Sequence, residues 1–215
     1  WWHATAEQLM QGINEKVFRS AGDPQTVLIN GRGNMNCTQN HLYACNSSGT
    51  CMDGEGEVAG AAERPWYKPS YHPEGCNPSY CPGREVLRVT QGNRYLLRLI
   101  NAGSSSLFNL AVQGHSLTVV EVDGSPTQPF ITESVDFNAG QRISVLLTAN
   151  NLIGTYVIRV KTRARSGVRV GHAFLQYTGA FAEISNPASA LISQPSWNDN
   201  NFTLEFQQQI KGIYN

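Results

Sequence analysis

The sequence predicts an all-β domain, a sandwich or barrel built mainly from antiparallel strands. From residue 85 onward, short runs rich in Val, Ile, Leu and Tyr alternate with turns that contain Gly or Asn. Strands of this length and spacing are typical of antiparallel β-folds. With 215 residues the chain can bury one substantial core, and it shows no internal repeat.

The first predicted element is a helix over residues 5–18. Apolar side chains recur on one face with a period of about 3.6 residues. Thr5 and Gln8 have the form of a capping box, so we expect the helix to begin at Thr5. We expect this helix to pack on the β-domain rather than to carry chemistry.

A short apolar strand is predicted at residues 26–29 and is closed by the turn-forming residues 30–33. Residues 34–82 follow with almost no hydrophobic periodicity and are rich in Asn, Gly, Pro and Cys. A loop of this length in a compact domain usually has a function or is held in place by cross-links. We therefore expect an insertion that disulfides tie down.

The regular part of the chain contains eight predicted strands. They are residues 86–89, 95–100, 107–112, 117–122, 134–137, 142–147, 156–160 and 173–177. Turn signals separate them at residues 101–103, 113–114, 123–124, 139–140 and 150–151. After residue 180 the strand pattern ends. Phe202, Phe206, Ile210 and Ile213 then predict a short helix, and we expect its packing partner to be a following domain.

Charge and hydropathy exclude several classes of partner. Sixteen Lys and Arg balance sixteen Asp and Glu, so we expect no binding to nucleic acid or to an anionic membrane. No apolar run approaches the roughly 20 residues that cross a bilayer. The one basic cluster contains Lys161, Arg163, Arg165 and Arg169. We interpret it as a solvated hairpin tip, with a binding patch as the alternative.

The cysteines point to an oxidising compartment. All five fall in one stretch and are disulfide candidates: Cys37, Cys45, Cys51, Cys76 and Cys81. N-glycosylation acceptor motifs begin at Asn36, Asn46 and Asn201. Together these features predict a secreted or cell-surface glycoprotein. The pairing stays open and one thiol is left over. A zinc site with His41 and His72 is the weaker alternative, because the cysteine spacing is not that of a zinc finger.

Three segments in order resemble the second domain of multicopper oxidases, the family of laccases, ascorbate oxidases and ferroxidases. They are residues 95–104 (YLLRLINAGS), 114–124 (GHSLTVVEVDG) and 140–147 (GQRISVLL), the last followed by residues 156–159 (YVIR). Residues 28–31 and 197–199 resemble the family's start and end of this domain. The resemblance implies a cupredoxin-like Greek-key sandwich or barrel, and a middle domain without copper.

Residues 1–4 resemble the start of the Trp-x-His-x-His motif of the family's first domain, in which both histidines bind copper. The resemblance makes His3 a trinuclear copper ligand in an incomplete site, because Thr5 stands where the second histidine belongs. Residues 5–14 resemble a stretch that the family places further along. We therefore expect residues to be missing between Ala4 and Thr5, and sequence to be missing before Trp1. An authentic Thr replacement is the alternative.

The family's copper chemistry requires ligands that this chain does not supply in the expected pattern. The type 1 copper needs a cysteine thiolate with two imidazoles, and in the family that cysteine lies between two histidines. None of the five cysteines here has a histidine neighbour, and the five histidines form no His-x-His pair. We expect no copper bound to this chain alone and predict no catalytic residue. The resemblance gives His115 a structural role.

The resemblance divides the chain into four parts. Residues 1–4 are a remnant of a preceding cupredoxin domain and residues 5–25 a connecting helix and linker. Residues 26–180 form the cupredoxin-like domain, with 34–82 as its cysteine-rich insertion, and residues 181–215 lead to a following domain. The first hypothesis is a fragment of a secreted oxidase whose flanking cupredoxin domains carry the copper. The alternative is a non-enzymatic extracellular module that binds other extracellular proteins.

Overall fold

The fold is described from a computed structural model of the chain. It describes residues 27–33, 84–164, 168–180, 184 and 186–213, together with the backbone of residues 44–45, 50–52 and 58–60. The chain divides into two compact units, residues 1–26 with 34–83 and residues 27–33 with 84–215. The predicted helix over residues 5–18 lies outside the described residues.

The first unit contains three short strands: β1 (Ala44–Cys45), β2 (Thr50–Met52) and β3 (Val58–Gly60). They form an antiparallel sheet in the order β1-β2-β3. In the first pair, Cys45 lies directly opposite Cys51. The backbone register therefore places two of the five cysteines of the chain side by side.

The second unit is a β-sandwich of two sheets. One sheet has the order β5-β10-β7-β8 and the other has the order β4-β12-β11-β6-β9. The strands are β4 (Val86–Val89), β5 (Arg94–Ile100), β6 (Leu107–Val112), β7 (Leu117–Val122), β8 (Ser125–Thr132), β9 (Ser134–Phe137), β10 (Arg142–Thr148), β11 (Thr155–Arg163) and β12 (Val170–Tyr177). This confirms the predicted all-β sandwich.

The core lies between the two sheets, because alternate side chains of each strand point inward. Leu117, Val119, Val145, Leu147 and Leu175 are among the fully buried side chains. The chain passes from one sheet to the other at every connection between these strands except β7–β8 and β11–β12. All pairs are antiparallel except β12 with β4, which run parallel.

Strand β8 is absent from the sequence prediction. It contains Pro126 and Pro129, and proline inside a run of residues argues against a strand because it cannot donate to the ladder. The prolines are tolerated because β8 lies at the edge of its sheet, where it pairs with a full strand, β7, on one side only. On its other side Gln128 N donates to Lys211 O at 2.7 Å, and Thr127 forms an isolated bridge with Gly212.

Among the described residues 27–33, the strand predicted at residues 26–29 is reduced to an isolated bridge between Ile29 and Arg32, and the turn predicted after it is present. Ile29 and Arg32 exchange backbone hydrogen bonds of 2.8 and 2.9 Å. Between them Asn30 and Gly31 both have positive φ, 50° and 72°, as a hairpin turn of this type requires. Val27 is buried against Gly171 of β12, where an added Cβ would lie 2.9 Å from the Val27 carbonyl oxygen.

A ten-residue helix, α1 (Asn200–Gln209), follows the last strand and confirms the helix predicted near Phe202. Asp199 caps it by accepting a hydrogen bond from Phe202 N at 3.1 Å. The expectation that its partner is a following domain is wrong. Phe206 is only 3% exposed within this domain, and its ring packs edge-on against Phe130 of β8 at 5.6 Å.

Candidate functional site

A covered polar network lies on the outer face of the five-stranded sheet. Asp136 of β9 accepts hydrogen bonds from Asn109 Nδ2 at 2.7 Å and Thr203 Oγ1 at 2.8 Å. Arg163 Nη2 lies 3.4 Å from Asp136 Oδ2 and donates to Thr203 Oγ1 at 2.8 Å and to Asp199 O at 2.6 Å. The network therefore joins strands β6, β9 and β11 to the start of α1.

This network corrects the prediction made for the basic cluster. Arg163 was expected at a solvated hairpin tip, yet it is 1% exposed. Its guanidinium carbon lies 5.4 Å from the centre of the Phe202 ring, so α1 covers it from outside. The reason is the length of β11, which continues through Arg163 and turns alternate side chains to the outer face.

Burial dominates the electrostatics of this network. It raises the pKa of Asp136 above its ordinary value, although hydrogen bonds from Asn109 and Thr203 and the Arg163 charge all act to lower it. Arg163 Nε and Nη1 are buried without a hydrogen-bond partner in the described part of the chain. Removing charges from water costs free energy that such a pair only partly recovers. We therefore expect the network to fix the geometry of the C-terminal segment more than it adds stability.

Two further anchors hold the segment before α1. Arg159 Nη2 donates to Ala190 O at 2.8 Å and to Ala188 O at 3.3 Å. Gln194 Nε2 donates to Asn109 Oδ1 at 2.8 Å. We call residues 186–199 the strap. It crosses the outer face of the sheet and supplies the partners that the polar side chains there require.

A second cluster, around His115, faces the interior at the end of the sandwich. His115 Nε2 lies 2.7 Å from Tyr177 Oη, and Nδ1 lies 2.7 Å from Gln113 O. The Tyr156 ring packs edge-on against the imidazole at 4.9 Å. Asn151 N donates to Tyr177 Oη at 3.1 Å. Burial lowers the pKa of His115 and raises the pKa of Tyr177, so both side chains are neutral at neutral pH.

His172 is the other histidine that the structure describes. It lies on β12 directly across from Arg159 of β11. Burial, with the charges of Arg159 and Arg84, lowers the pKa of His172 to about 4. The imidazole is therefore neutral and stands among cations, which disfavours binding of a further cation.

Neither described imidazole fits copper. Both ring nitrogens of His115 are engaged in hydrogen bonds, so a metal would have to displace Tyr177 or the Gln113 carbonyl. His172 has the cationic neighbours Arg159 and Arg84. Across the described residues, no group of three or more His, Cys, Asp or Glu side chains could hold a metal ion.

The predicted site residues are distributed as follows. Asn201 is exposed in the first turn of α1, while its acceptor-motif partner Thr203 is bound to Asp136. Cys45 and Cys51 oppose each other in the first unit. The other predicted positions lie outside the described residues: His3, Asn36, Asn46, Cys37, Cys76 and Cys81, with the zinc alternatives His41 and His72.

No local sequence pattern connects His115 with Tyr177, or Arg163 with Asp136. The partners are 62 residues apart in the first pair, and they meet because His115 follows β6 and Tyr177 ends β12, the two strands that flank β11 in the sheet. The one available signal for Arg163 was its place in a run of alternating side chains, Arg159, Lys161 and Arg163. That alternation indicates a common face but not what covers it.

In the described part of the chain, no helix has the length and apolar character needed to cross a membrane.

Comparison with known proteins identifies the family. The sequence profile described as Multicopper oxidase matches residues 1–180. L-ascorbate oxidase from Brassica rapa subsp. pekinensis is 30% identical over 212 residues, which cover 98% of this chain and 33% of that protein. Laccase-4 from Thanatephorus cucumeris is 41% identical over 104 residues, which cover 45% of this chain and 20% of that protein.

A solved structure shows the same fold. It is a mutant of the laccase from B. aclada, with a TM-score of 0.60 and 22% identity, covering 92% of this chain and 30% of that one. The chain thus spans about a third of the length of the ascorbate oxidases that it matches. The profile match and the ascorbate oxidase similarity over nearly the whole chain show that this protein belongs to the multicopper oxidase family, whose members are copper-binding oxidoreductases.

Proposed function

We propose that this chain is the structural middle domain of a secreted oxidase, which couples oxidation of a substrate by copper to reduction of dioxygen to water. The proposal rests on how much of this chain, and how much of each relative, the sequence matches cover. Nearly the whole chain matches L-ascorbate oxidases, yet it accounts for only about a third of their length. The remaining length would supply the two flanking cupredoxin domains, which are this chain's proposed partners, and with them the copper ligands.

The role of this chain in such a protein is to hold its neighbours in place. The strap is anchored through Arg159 and Gln194, and α1 through Arg163 and the buried Phe206. These contacts fix the path of the chain over the last twenty-odd described residues. A fixed path favours a constant geometry between domains, which a copper cluster shared between two domains requires.

Secretion, glycosylation and disulfide formation belong to the same proposal. The clustered cysteines and the three acceptor motifs support it. In the structure, Asn201 is exposed and would project a glycan into solvent. The backbones of Cys45 and Cys51 lie directly opposite each other in the β1–β2 register. His3 remains the proposed contribution of this chain to a trinuclear copper site.

The alternative is a non-enzymatic extracellular module derived from the oxidase fold. Thr5 stands at the position of a family copper ligand, which favours this alternative. The two hypotheses differ in what the rest of the protein must contain, since only the oxidase requires further histidine motifs.

The experiment that separates them uses the native protein from its source. Peptide mapping by mass spectrometry reads the sequence across Ala4 and Thr5, elemental analysis measures copper, and oxygen uptake is followed with ascorbate, a phenol and ferrous iron. Further sequence with a second histidine after Ala4, bound copper and oxygen uptake would support the oxidase. A peptide that joins Ala4 directly to Thr5, in a copper-free protein without oxygen uptake, would overturn it in favour of the binding module.

A further inference from the structure

The hydrogen-bond partners of His115 assign the tautomer of its neutral imidazole. A carbonyl oxygen can only accept, so the 2.7 Å contact with Gln113 O places a proton on His115 Nδ1. In the neutral imidazole, Nε2 then carries no proton and accepts a hydrogen bond from Tyr177 Oη at 2.7 Å. Tyr177 Oη in turn accepts from Asn151 N. The phenol proton of Tyr177 therefore points at His115 Nε2, which carries no proton of its own.

The hydrogen bonding of its hydroxyl group distinguishes Tyr177 from the other two tyrosines in the described part of the chain. Tyr95 Oη accepts a hydrogen bond from Thr90 N at 2.7 Å. Tyr156 Oη donates to Leu152 O at 2.7 Å, and a backbone carbonyl does not take up a proton at neutral pH. Only Tyr177 of these three donates to a group that can become protonated.

The surroundings keep the pair in its neutral form. Tyr177 is 1% exposed and His115 is 3% exposed, so water does not compete for the shared proton. Among the described residues, the side chains of Tyr156, Tyr177 and Asn151 contact the imidazole, and all three are uncharged. The hydrogen bond therefore persists across the neutral pH range, in an environment that strengthens it.

We propose that Tyr177 is a redox-active tyrosine, oxidised by one electron with transfer of its proton to His115. One electron leaves the phenol for a one-electron oxidant such as a metal complex in its oxidised state. The O–H bond of Tyr177 breaks and an N–H bond forms on Nε2, which leaves a neutral phenoxyl radical and an imidazolium. Reduction returns the electron to the ring and the proton to Oη. The proton moves only between hydrogen-bonded atoms, so no rearrangement is needed.

Tyr156 gives this site a route to the surface. Its ring centre lies 5.4 Å from that of Tyr177, and it is partly exposed beside the turn that contains Leu152. Electrons can pass between aromatic rings at such a separation. The assignment depends on this chain alone and not on the copper chemistry proposed above.

The test is photochemical oxidation of the folded chain. Flash illumination of a ruthenium(II) tris-bipyridyl complex with a sacrificial acceptor generates the ruthenium(III) oxidant, and electron paramagnetic resonance detects the tyrosyl radical. We expect a radical whose formation slows in deuterated water, because the proton moves with the electron. Tyr177→Phe should lose this signal. Tyr95→Phe, in which the removed hydroxyl has no base as acceptor, should keep it.

A measurement on the unaltered protein tests the proposal even if the Tyr177→Phe variant does not fold. Electron–nuclear double resonance with isotope-labelled histidine should show a coupling between the radical and an imidazole nitrogen. Absence of that coupling would overturn the proposal, as would a folded Tyr177→Phe variant whose radical signal is unchanged.

Discussion

Arg163 and Asp136 form an ion pair, 3.4 Å apart, that α1 and the strap cover almost completely. Arg142 and Asp123 also lie 3.4 Å apart, but their side chains are 55% and 47% exposed. The two pairs therefore have the same separation and differ in solvation. Together they offer a direct comparison of a covered and an exposed ion pair in one domain.

Arg163→Met should lower the free energy of unfolding by about 3–5 kcal/mol, because it leaves Asp136 buried without its cation. The matched variant Arg142→Met should cost about 0–1 kcal/mol, as exposed pairs do. The double variant Arg163→Met with Asp136→Leu should recover much of the loss, since no charge is then buried. Urea unfolding of the four proteins measures these differences. A double variant less stable than Arg163→Met would contradict this account.

The two described histidines should make the domain less stable as the solution becomes mildly acidic, whereas the raised pKa of Asp136 acts in the opposite direction. The folded-state pKa of His115 lies below its ordinary value, and that of His172 lies at about 4. The unfolded chain therefore binds protons first, so this stability is complete above a pH of about 6.5 and is lost as the pH falls toward the folded pKa values. Urea midpoints between neutral pH and about pH 5 would show it. Proton NMR titration of both imidazoles is the control, and ordinary pKa values there would contradict the prediction.

Gly171→Ala should destabilise the domain by about 1–3 kcal/mol, as overpacking does. A Cβ at this position would lie 2.9 Å from the backbone oxygen and Cγ1 of Val27, so residue 27 would have to move. Gly154→Ala is the matched control, because its nearest contact would be an ordinary 3.7 Å. Thermal unfolding of the two variants compares them directly. Equal melting temperatures would show that the turn at residues 27–33 does not pack as described.

Phe206→Ala should cost about 3–5 kcal/mol, the range for removing a buried aromatic ring. Leu204→Ala on the same helix should cost little, because Leu204 is 56% exposed. The comparison tests whether α1 belongs to the core of this domain. If both variants unfold at the urea concentration of the unaltered protein, α1 must pack elsewhere.

Cys45 and Cys51 should form a disulfide in the oxidised protein. Directly opposed residues of an antiparallel pair have Cα atoms about 4.5–5.5 Å apart, within the range that a disulfide spans. Non-reducing peptide mapping should recover a cross-linked fragment that contains both residues. A fragment that joins either cysteine to Cys37, Cys76 or Cys81 would contradict the register of β1 and β2.

Most of the sandwich could be predicted because each strand is a short run of apolar and β-branched residues, bounded by turn residues, that can be recognised locally in the sequence. Residues 107–112, 117–122 and 134–137 were predicted with the bounds that the structure has. The turn at Asp123 and Gly124 was also predicted, and both residues have positive φ. Strand β8 was missed because its prolines are compatible with a strand only at a sheet edge, and the position of a strand in the sheet is not local information.

The family resemblance could also be recognised in the sequence, since the segments that carry it are local runs of strand and turn residues. The match to ascorbate oxidases confirms it. The sequence by itself thus determined the all-β class and the family. Only the tertiary structure decided that His115 accepts the proton of Tyr177, that Arg163 is buried beneath α1, and that Phe206 belongs to this core. Each depends on groups distant in the chain, which come together only when both sheets and the strap exclude water between them.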